Sequence, residues 1–209
     1  TKYEARGGTG SDNFVATATL NDGTINGNAG LDFLTLNALN TSTIYGGKDI
    51  DNLTVGNLVS SSINGNIGND VLIVNNGMES SNVYGGKDQD NITVNGNISG
   101  SGVHGDLGAD IINVIGVALT NTSSIQGGAN ADTITISGLT QSVNSSVLGG
   151  QGADTINGTN AGSSTIYLYG GTDNDTVNGG AGADFLYGDN GNDNLLGNAG
   201  VDSITGGEG

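Results

Sequence analysis

The sequence predicts an all-β solenoid in which short parallel strands stack in coils of about 18–22 residues. Three observations lead to this prediction. A Gly-x-x-x-x-Asp hexapeptide recurs along the chain at a nearly constant spacing. The residue two positions after its aspartate is apolar in every copy, as in a strand with one buried face. Glycine supplies 40 of the 209 residues, and no segment sustains the 3.6-residue period of a helix.

The hexapeptides follow two spacings. Successive copies begin 19–22 residues apart through most of the chain and nine residues apart from Gly170 onward. Because two nonapeptides make about one long unit, a single solenoid accommodates both spacings. We therefore expect long coils over residues 1–169, with a Gly-rich loop on one edge only, and nonapeptide coils over residues 170–209. The last copy stops mid-repeat, so we expect a segment of a longer protein. The copies begin at Gly7, Gly27, Gly46, Gly65, Gly85, Gly105, Gly127, Gly149, Gly170, Gly179, Gly188, Gly197 and Gly206.

Each long coil is predicted to bury two columns of apolar side chains, joined by polar and variable second turns. One column follows each aspartate by two residues, and the other comes just before each later loop. A serine stands two positions before most residues of the second column, where a thin core leaves room only for a small side chain. The first column is Phe14, Leu34, Leu53, Leu72, Ile92, Ile112, Ile134, Ile156, Val177, Leu186, Leu195 and Ile204; the second is Ile25, Ile44, Ile63, Val83, Val103, Ile125, Val147 and Leu168; the serines are Ser42, Ser61, Ser81, Ser101, Ser123 and Ser145.

The composition favours a cationic partner. Asp and Glu number 21 against four Lys and Arg, for a net charge of −17, so nucleic acid and anionic membranes are poor partners. With only 34% hydrophobic residues, such a chain stays disordered unless cations neutralise its charge. No apolar run approaches the ~20 residues of a transmembrane helix. The absence of cysteine excludes disulfides and thiolate metal sites.

The aspartates that close the hexapeptides are the candidate metal ligands. Stacked coils would place these carboxylates in a column about 5 Å apart. At that distance two charges repel by roughly 1 kcal/mol in water and by about 3–4 kcal/mol at an effective dielectric constant of 20. Cations between the coils would relieve the repulsion, and an all-oxygen ligand set suits Ca²⁺ better than Mg²⁺. The candidates are Asp12, Asp32, Asp51, Asp70, Asp90, Asp110, Asp132, Asp154, Asp175, Asp184, Asp193 and Asp202, with Asp49, Asp88 and Asp173 from inside loops.

Two nonapeptides, "GGQGADTIN" (149–157) and "GGAGADFLY" (179–187), resemble the RTX repeat Gly-Gly-x-Gly-x-Asp-x-apolar-x, which binds calcium in β-helices. The similarity extends over twelve copies from Gly7 onward. This resemblance implies a right-handed parallel β-roll in which Ca²⁺ lies between adjacent coils. One aspartate from each of two loops and main-chain carbonyls would hold each ion. Bacterial secretion is also usual in this family.

The resemblance pairs each closing aspartate with the one in the next coil. In the nonapeptide region the loops alternate between two edges, so the pairs there skip one loop. About ten ions follow, and their charge of about +20 would offset the −17 of the protein. Site affinities of order 10⁻⁴ to 10⁻³ M are expected for an extracellular module. The pairs run from Asp12–Asp32 through each successive long coil to Asp154–Asp175, and then Asp175–Asp193 and Asp184–Asp202.

The chain also departs from the RTX pattern. Asn or Asp replaces a loop glycine in several copies, and Lys48 and Lys87 stand directly before two of these residues. A lysine ammonium can replace or repel a cation, so these two loops are where the sequence predicts an ion least firmly. The replacements are Asn28, Asn66, Asp106, Asp189 and Asn198 at the second loop position and Asp49, Asp88, Asn130 and Asp173 at the fourth.

The sequence indicates that the chain is not an enzyme. His104 is the single histidine, so with no cysteine and no second histidine the chain offers no transition-metal site, and no Gly-x-Ser-x-Gly elbow provides a serine nucleophile beside a base. His104 is better explained as an outward ladder residue that matches Tyr45, Tyr84 and Tyr169. The carboxylates that could serve as acid and base are already explained as ligands.

The eight long coils favour a calcium-dependent structural segment of a secreted bacterial surface protein, such as an S-layer, surface fibril or adhesin. Self-association into a lattice or filament is expected of such a segment. The alternative is a calcium-binding folding and secretion module of a larger RTX toxin or hydrolase. Ice or surface binding through a regular outward row is disfavoured, because the third loop residues vary. They are Thr9, Ala29, Lys48, Ile67, Lys87, Leu107, Ala129, Gln151 and Thr172.

Overall fold

The computed structural model describes residues 2–116, 118–142, 144–160 and 164–209, and every regular element in these ranges is a β-strand. The predicted all-β class is therefore confirmed. The strands are β1 (Tyr3–Thr9), β2 (Asn13–Asn21), β3 (Gly23–Ala29), β4 (Phe33–Asn40), β5 (Thr43–Lys48), β6 (Asn52–Val59), β7 (Ser62–Ile67), β8 (Val71–Val74), β9 (Met78–Glu79), β10 (Asn82–Lys87), β11 (Asn91–Asn95), β12 (Ile98–Ser99), β13 (Gly102–Leu107), β14 (Ile111–Ile115), β15 (Ala118–Thr120), β16 (Ser124–Ala129), β17 (Thr133–Leu139), β18 (Gln141–Ser142), β19 (Ser146–Gln151), β20 (Thr155–Asn160), β21 (Tyr167–Thr172), β22 (Thr176–Ala181), β23 (Phe185–Asn190), β24 (Asn194–Ala199) and β25 (Ser203–Glu208).

Two sheets of parallel strands form the walls of a solenoid of about ten turns. The first sheet contains 11 strands in the order β1-β3-β5-β7-β10-β13-β16-β19-β21-β23-β25. The second contains 14 strands, in the order β18-β15-β12-β9-β6-β8-β11-β14-β17-β20-β22-β24, with β2 and β4 joined to it through β6. Each strand pairs with the equivalent strand of the next coil; Val83, for example, lies between Ile63 and Val103. This register is the stacking that the repeat spacing predicts.

The predicted apolar columns form one continuous core along the axis. All eight residues of the second column are buried, and the first column is buried from Leu34 to Leu186. Phe14 and Leu195 pack against the core while remaining partly exposed, and Ile204 in the last coil is 50% exposed. A coil at the end of the stack has a neighbour on one side only, so its apolar residues are less covered.

The second turns contribute to the core as well, contrary to the expectation that they are polar. β6 pairs with both β8 and β9, so one long strand continues as two shorter ones in the next coil. The short strands stack in a row of their own, which places Leu58, Met78, Ile98 and Leu119 in register and buries all four. Over the described ranges there is no helix of the length and hydropathy needed to cross a bilayer.

Candidate metal centre

The closing aspartates form a continuous ladder where the chain passes from the first sheet into the second. We call this side of the solenoid the aspartate edge. The main-chain N–H of each aspartate donates to Oδ1 of the aspartate in the next coil, at 2.7–2.9 Å. On the opposite edge, the Asp184 N–H donates to Oδ1 of Asp202 at 3.0 Å. The structure therefore brings together all ten predicted pairs. The ladder consists of Asp12, Asp32, Asp51, Asp70, Asp90, Asp110, Asp132, Asp154, Asp175 and Asp193.

The second carboxylate oxygen of the ladder has no protein partner. Oδ2 is buried in nine of these aspartates and accepts no hydrogen bond from any described residue. A buried carboxylate is costly unless it is paired or coordinates a metal, so this row of oxygens fits a row of cations. The nine aspartates are Asp32, Asp51, Asp70, Asp90, Asp110, Asp132, Asp154, Asp175 and Asp193.

Main-chain oxygens lie close to the unpartnered carboxylate oxygens. A Cβ added at Gly105 would collide with Oδ2 of Asp110 and with the carbonyl oxygen of Gly127 in the next coil. The same two kinds of oxygen surround the first glycine of every loop from Gly7 to Gly188. The first loop position is therefore glycine because a side chain would displace these oxygens. Carboxylate and carbonyl oxygens from two coils are the donor set that Ca²⁺ prefers.

Side chains alone do not complete these sites. In the part of the chain that the structure describes, no three His, Cys, Asp or Glu side chains come together as a metal-binding group. A cation between two coils would have two carboxylates and would take its remaining ligands from main-chain carbonyls. The fold supplies such carbonyls at the Gly-rich loops.

Burial raises the pKa of the ladder carboxyls from Asp32 to Asp175 above the ordinary value of 3.8. The pKa of Asp90 rises to about 8 and that of Asp70 to about 7. Burial outweighs the main-chain N–H donor, which lowers the pKa, and neighbouring carboxylates raise it further. Without cations the ladder would thus hold protons near neutral pH. Burial likewise raises the pKa to about 7 for Asp132 and to about 6 for Asp51, Asp110, Asp154 and Asp175.

Similarity to known proteins agrees with this geometry. The family model of the RTX calcium-binding nonapeptide repeat (four copies) matches residues 144–166, 167–195 and 187–209. The match covers the C-terminal part of the chain. The long coils before residue 144 lie outside this match, and the unbroken aspartate ladder joins them to the matched residues.

One solved structure shares the fold. The chain is similar to the X-ray crystal structure of a hyperactive, Ca²⁺-dependent, β-helical antifreeze protein from an Antarctic bacterium. The TM-score is 0.51 at 19% identity, over 96% of this chain and 81% of that one. At this identity the likeness shows the fold alone. No curated protein matches the chain.

The structure separates the in-loop aspartates from the ladder. Asp49, Asp88 and Asp173 are exposed, at the fourth position of their loops, with φ of 75°, 77° and 80°. Oδ2 of Asp49 accepts a hydrogen bond from the Gly30 N–H at 3.1 Å. Asp and Asn adopt this left-handed conformation more readily than other side chains do, which gives these residues a conformational reason to be there. Their role as metal ligands stays a prediction.

The departures from the RTX glycine pattern share one conformation. All nine Asn and Asp residues that replace loop glycines have φ between 68° and 80°. Glycine follows at the same position in the next coil in most of these cases. Gly68, with φ of 133°, stacks on Asp49, and a Cβ on Gly68 would collide with the Asp49 carbonyl oxygen. The main chain of the preceding coil therefore excludes a side chain at Gly68.

The lysines predicted to disturb two sites lie outside the ladder. Lys48 and Lys87 are exposed, and neither forms an ion pair with a described residue. Ile67 lies between them in register on the first sheet. Weaker ion binding at their loops stays a prediction. His104 lies in register with Tyr84 and stacks on it with ring centroids 5.0 Å apart, as expected for an outward ladder residue.

A second ladder, made of serines, runs where the chain returns from the second sheet to the first. The sequence explained these serines by their small size alone. We call this side the serine edge. The Ser61 N–H donates to Oγ of Ser81 at 3.0 Å, and the Ser61 hydroxyl donates to the Val59 carbonyl at 2.7 Å. Their spacing could have predicted this ladder, because each serine precedes a core residue by two positions, as each aspartate does. The buried serines are Ser42, Ser61, Ser81, Ser101, Ser123 and Ser145.

Proposed function

We propose that this chain is a calcium-dependent structural rod from a secreted bacterial surface protein, such as an S-layer, surface fibril or adhesin. The observation that carries the proposal is the row of buried Oδ2 atoms without protein partners along the aspartate edge. When bound, calcium supplies the positive charge that these carboxylates lack. About ten stacked coils at ~4.8 Å spacing give a rod of roughly 50 Å, which cations would hold straight. Secretion and a place at the cell surface are inferred from the RTX repeats.

The ligands proposed are the closing aspartates, taken in adjacent pairs, together with loop carbonyls. This gives about ten ions, one for each hydrogen-bonded pair of the two ladders. Asp49, Asp88 and Asp173 are proposed as further ligands from the loops. We also propose that residues 1–169 and 170–209 differ as long-coil and nonapeptide parts of one solenoid. The strand ladder from β19 through β21 to β23 supports a single solenoid.

We propose a non-catalytic role, which the same observations support. The buried carboxylates belong to the two edges, where each accepts a main-chain hydrogen bond, as Asp51 and Asp110 do. Residues held in this way support the stack.

The alternative is a calcium-binding module that helps a larger RTX toxin or hydrolase to fold and be secreted. It is favoured by the family match, which is confined to residues 144–209. Assembly distinguishes the two functions, because a surface rod would associate with copies of itself through its strand edges or ends.

The test is sedimentation velocity with light scattering on the purified chain, from excess chelator to millimolar calcium. A surface rod should form assemblies that grow with calcium and dissociate when chelator is added. A compact monomer at every calcium concentration would contradict the lattice and support the module. The same experiment with magnesium controls for general screening of charge.

Sharing a fold with an antifreeze protein is not sufficient reason to propose that this chain binds ice. The third loop residues form one column along the first sheet, as the strand register shows, and their chemistry changes from coil to coil. Such a row presents no repeated pattern to a crystal surface. The column is Thr9, Ala29, Lys48, Ile67, Lys87, Leu107, Ala129, Gln151 and Thr172.

A further inference from the structure

We infer that the serine edge is a metal-free counterpart of the aspartate edge. Buried hydroxyl groups join the long coils on one side, while cations join them on the other. The serine edge becomes a cation-binding edge only at its C-terminal end, where Asp184 and Asp202 take the place of serine. This inference rests on the proposed calcium binding and adds where along the molecule the ions are and are not held.

The two edges use the same main-chain hydrogen bond between coils. On the aspartate edge, the Asp90 N–H donates to Oδ1 of Asp110 at 2.7 Å. On the serine edge, the Ser81 N–H donates to Oγ of Ser101 at 3.0 Å. The rungs from Gly23 to Ser145 repeat this bond at 3.0–3.4 Å. The serine hydroxyl oxygen thus occupies the role that Oδ1 has on the opposite edge.

The two edges differ in the side-chain atoms that remain without a partner after that hydrogen bond is formed. The Ser101 hydroxyl hydrogen is donated to the Ser99 carbonyl at 2.8 Å, and Ser81 donates to the Glu79 carbonyl at 2.7 Å. The hydroxyl group of such a serine therefore both donates and accepts a hydrogen bond within the protein, and it carries no charge. An aspartate leaves Oδ2 buried with a negative charge and no donor. Along the long coils, therefore, the aspartate edge requires a cation and the serine edge does not.

The serine edge changes character within the RTX repeats. The Ile166 N–H donates to Oδ1 of Asp184 at 3.1 Å, and Asp184 in turn donates to Asp202. A Cβ on Gly179 would lie 2.8 Å from Oδ2 of Asp184 and 3.1 Å from the carbonyl oxygen of Gly197, as at the first glycines of the other edge. The long coils therefore offer one row of cation sites, whereas the last coils offer two.

The experiment compares three variants of the full chain, Ser101→Ala, Asp110→Asn and Asp202→Asn. Ser101 and Asp110 belong to the same coil on opposite edges, and Asp202 lies on the serine edge. Two quantities are measured for each: calcium bound per chain at saturation, by equilibrium dialysis and atomic absorption, and the slope of melting temperature against the logarithm of calcium concentration. By linkage, that slope reports the number of ions released on unfolding.

Ser101→Ala should lower the melting temperature while leaving the bound calcium and the slope as in the unmodified chain. Asp110→Asn and Asp202→Asn should each lower both the bound calcium and the slope. A loss of bound calcium in Ser101→Ala equal to that in Asp110→Asn would overturn the inference and leave the proposed function intact. An unmodified chain that binds no calcium would instead overturn the proposed function.

If Ser101→Ala does not fold, the number of calcium ions bound by the unmodified chain still tests whether the serine edge is free of metal. Sites on the aspartate edge and at the Asp184–Asp202 pair alone give about ten ions per chain. Saturation at or below that number agrees with a metal-free serine edge. Saturation well above it would place cations on the serine edge and contradict the inference.

Discussion

The aspartate edge and the serine edge join neighbouring coils through the same kind of hydrogen bond from a main-chain N–H to a side-chain oxygen. An aspartate side chain has a second oxygen that remains without a hydrogen bond, whereas a serine side chain has none. At Asp110 the unused oxygen is buried and charged, whereas at Ser101 the hydroxyl group is satisfied by a carbonyl of its own coil. The hydrogen bond between coils therefore does not itself require a cation. The requirement arises from the second carboxylate oxygen and the charge it brings.

The difference also explains why so acidic a chain can have a regular core. Aspartates on one edge concentrate the negative charge in a single row, where a single row of ions can neutralise it. The serine edge adds buried polar groups without adding charge, so it holds the other side of the thin core without ions. Each edge therefore solves the cost of burying a polar group in a different way.

The largest effect is expected from removing one charge in the middle of the aspartate edge. Asp110→Asn keeps the size of the side chain and the Oδ1 acceptor but removes the carboxylate shared by two candidate sites. The calcium concentration at the midpoint of folding should rise at least about tenfold, because even outer-shell changes at metal sites cost about 10–100-fold. Circular dichroism during calcium titration measures this midpoint.

Asp106→Asn is the matched control for that variant. Asp106 lies in the same loop, outside the ladder, and its φ of 75° suits Asn. It removes the same charge and should shift the midpoint far less. Equal shifts in the two variants would mean that calcium responds to total charge and not to the ladder.

A smaller effect is expected from filling the space beside the carboxylate. Gly105→Ala places a Cβ against Oδ2 of Asp110 and the Gly127 carbonyl, so it should lower the free energy of unfolding by about 1–3 kcal/mol. Gly206→Ala is the control, since Gly206 has the same loop position and nothing within 4 Å of an added Cβ. Thermal unfolding at saturating calcium compares the two variants. Similar losses in both would show that the first glycine is not reserved for the site.

The smallest effect is expected from pH in the absence of cations. Folding raises the pKa of the ladder carboxyls from Asp32 to Asp175 above 3.8, to about 8 at Asp90, so the folded chain binds more protons than the unfolded chain between these values. Stability contributed by these groups is therefore full below about pH 4 and is lost as pH rises through 6–8. Chelated protein should show more β-structure by circular dichroism at pH 4.5 than at pH 8. A gain of structure with rising pH would have the wrong sign for this account.

Much of the fold could be predicted because the repeat fixes both spacing and register. The Gly-x-x-x-x-Asp copies located the aspartate pairs, and the apolar residues two positions later located the core. The row of Leu58, Met78 and Ile98 could not be predicted in this way, since it comes from strands of two or three residues in turns of variable sequence. Such short strands carry no periodic signal, and only stacking in register shows that one of their residues is buried.

The chemistry of the two edges was predictable to different degrees. A column of aspartates can be recognised from the sequence because stacked carboxylates carry a charge that must be neutralised. A serine such as Ser61 is small and neutral, so its sequence position is explained equally well by size, and its hydrogen bond to the neighbouring coil is visible only in three dimensions. The Asx residues in the loops are a similar case, because an aspartate such as Asp49 can be a ligand or a residue with positive φ.

If the solenoid requires cations on the aspartate edge, a calcium titration of the purified chain monitored by circular dichroism should reveal that requirement. We expect a cooperative change from disordered chain to β-structure near millimolar calcium, within the range of extracellular modules, and no such change with magnesium at the same concentrations. Full β-structure that persists at neutral pH in excess chelator would contradict it.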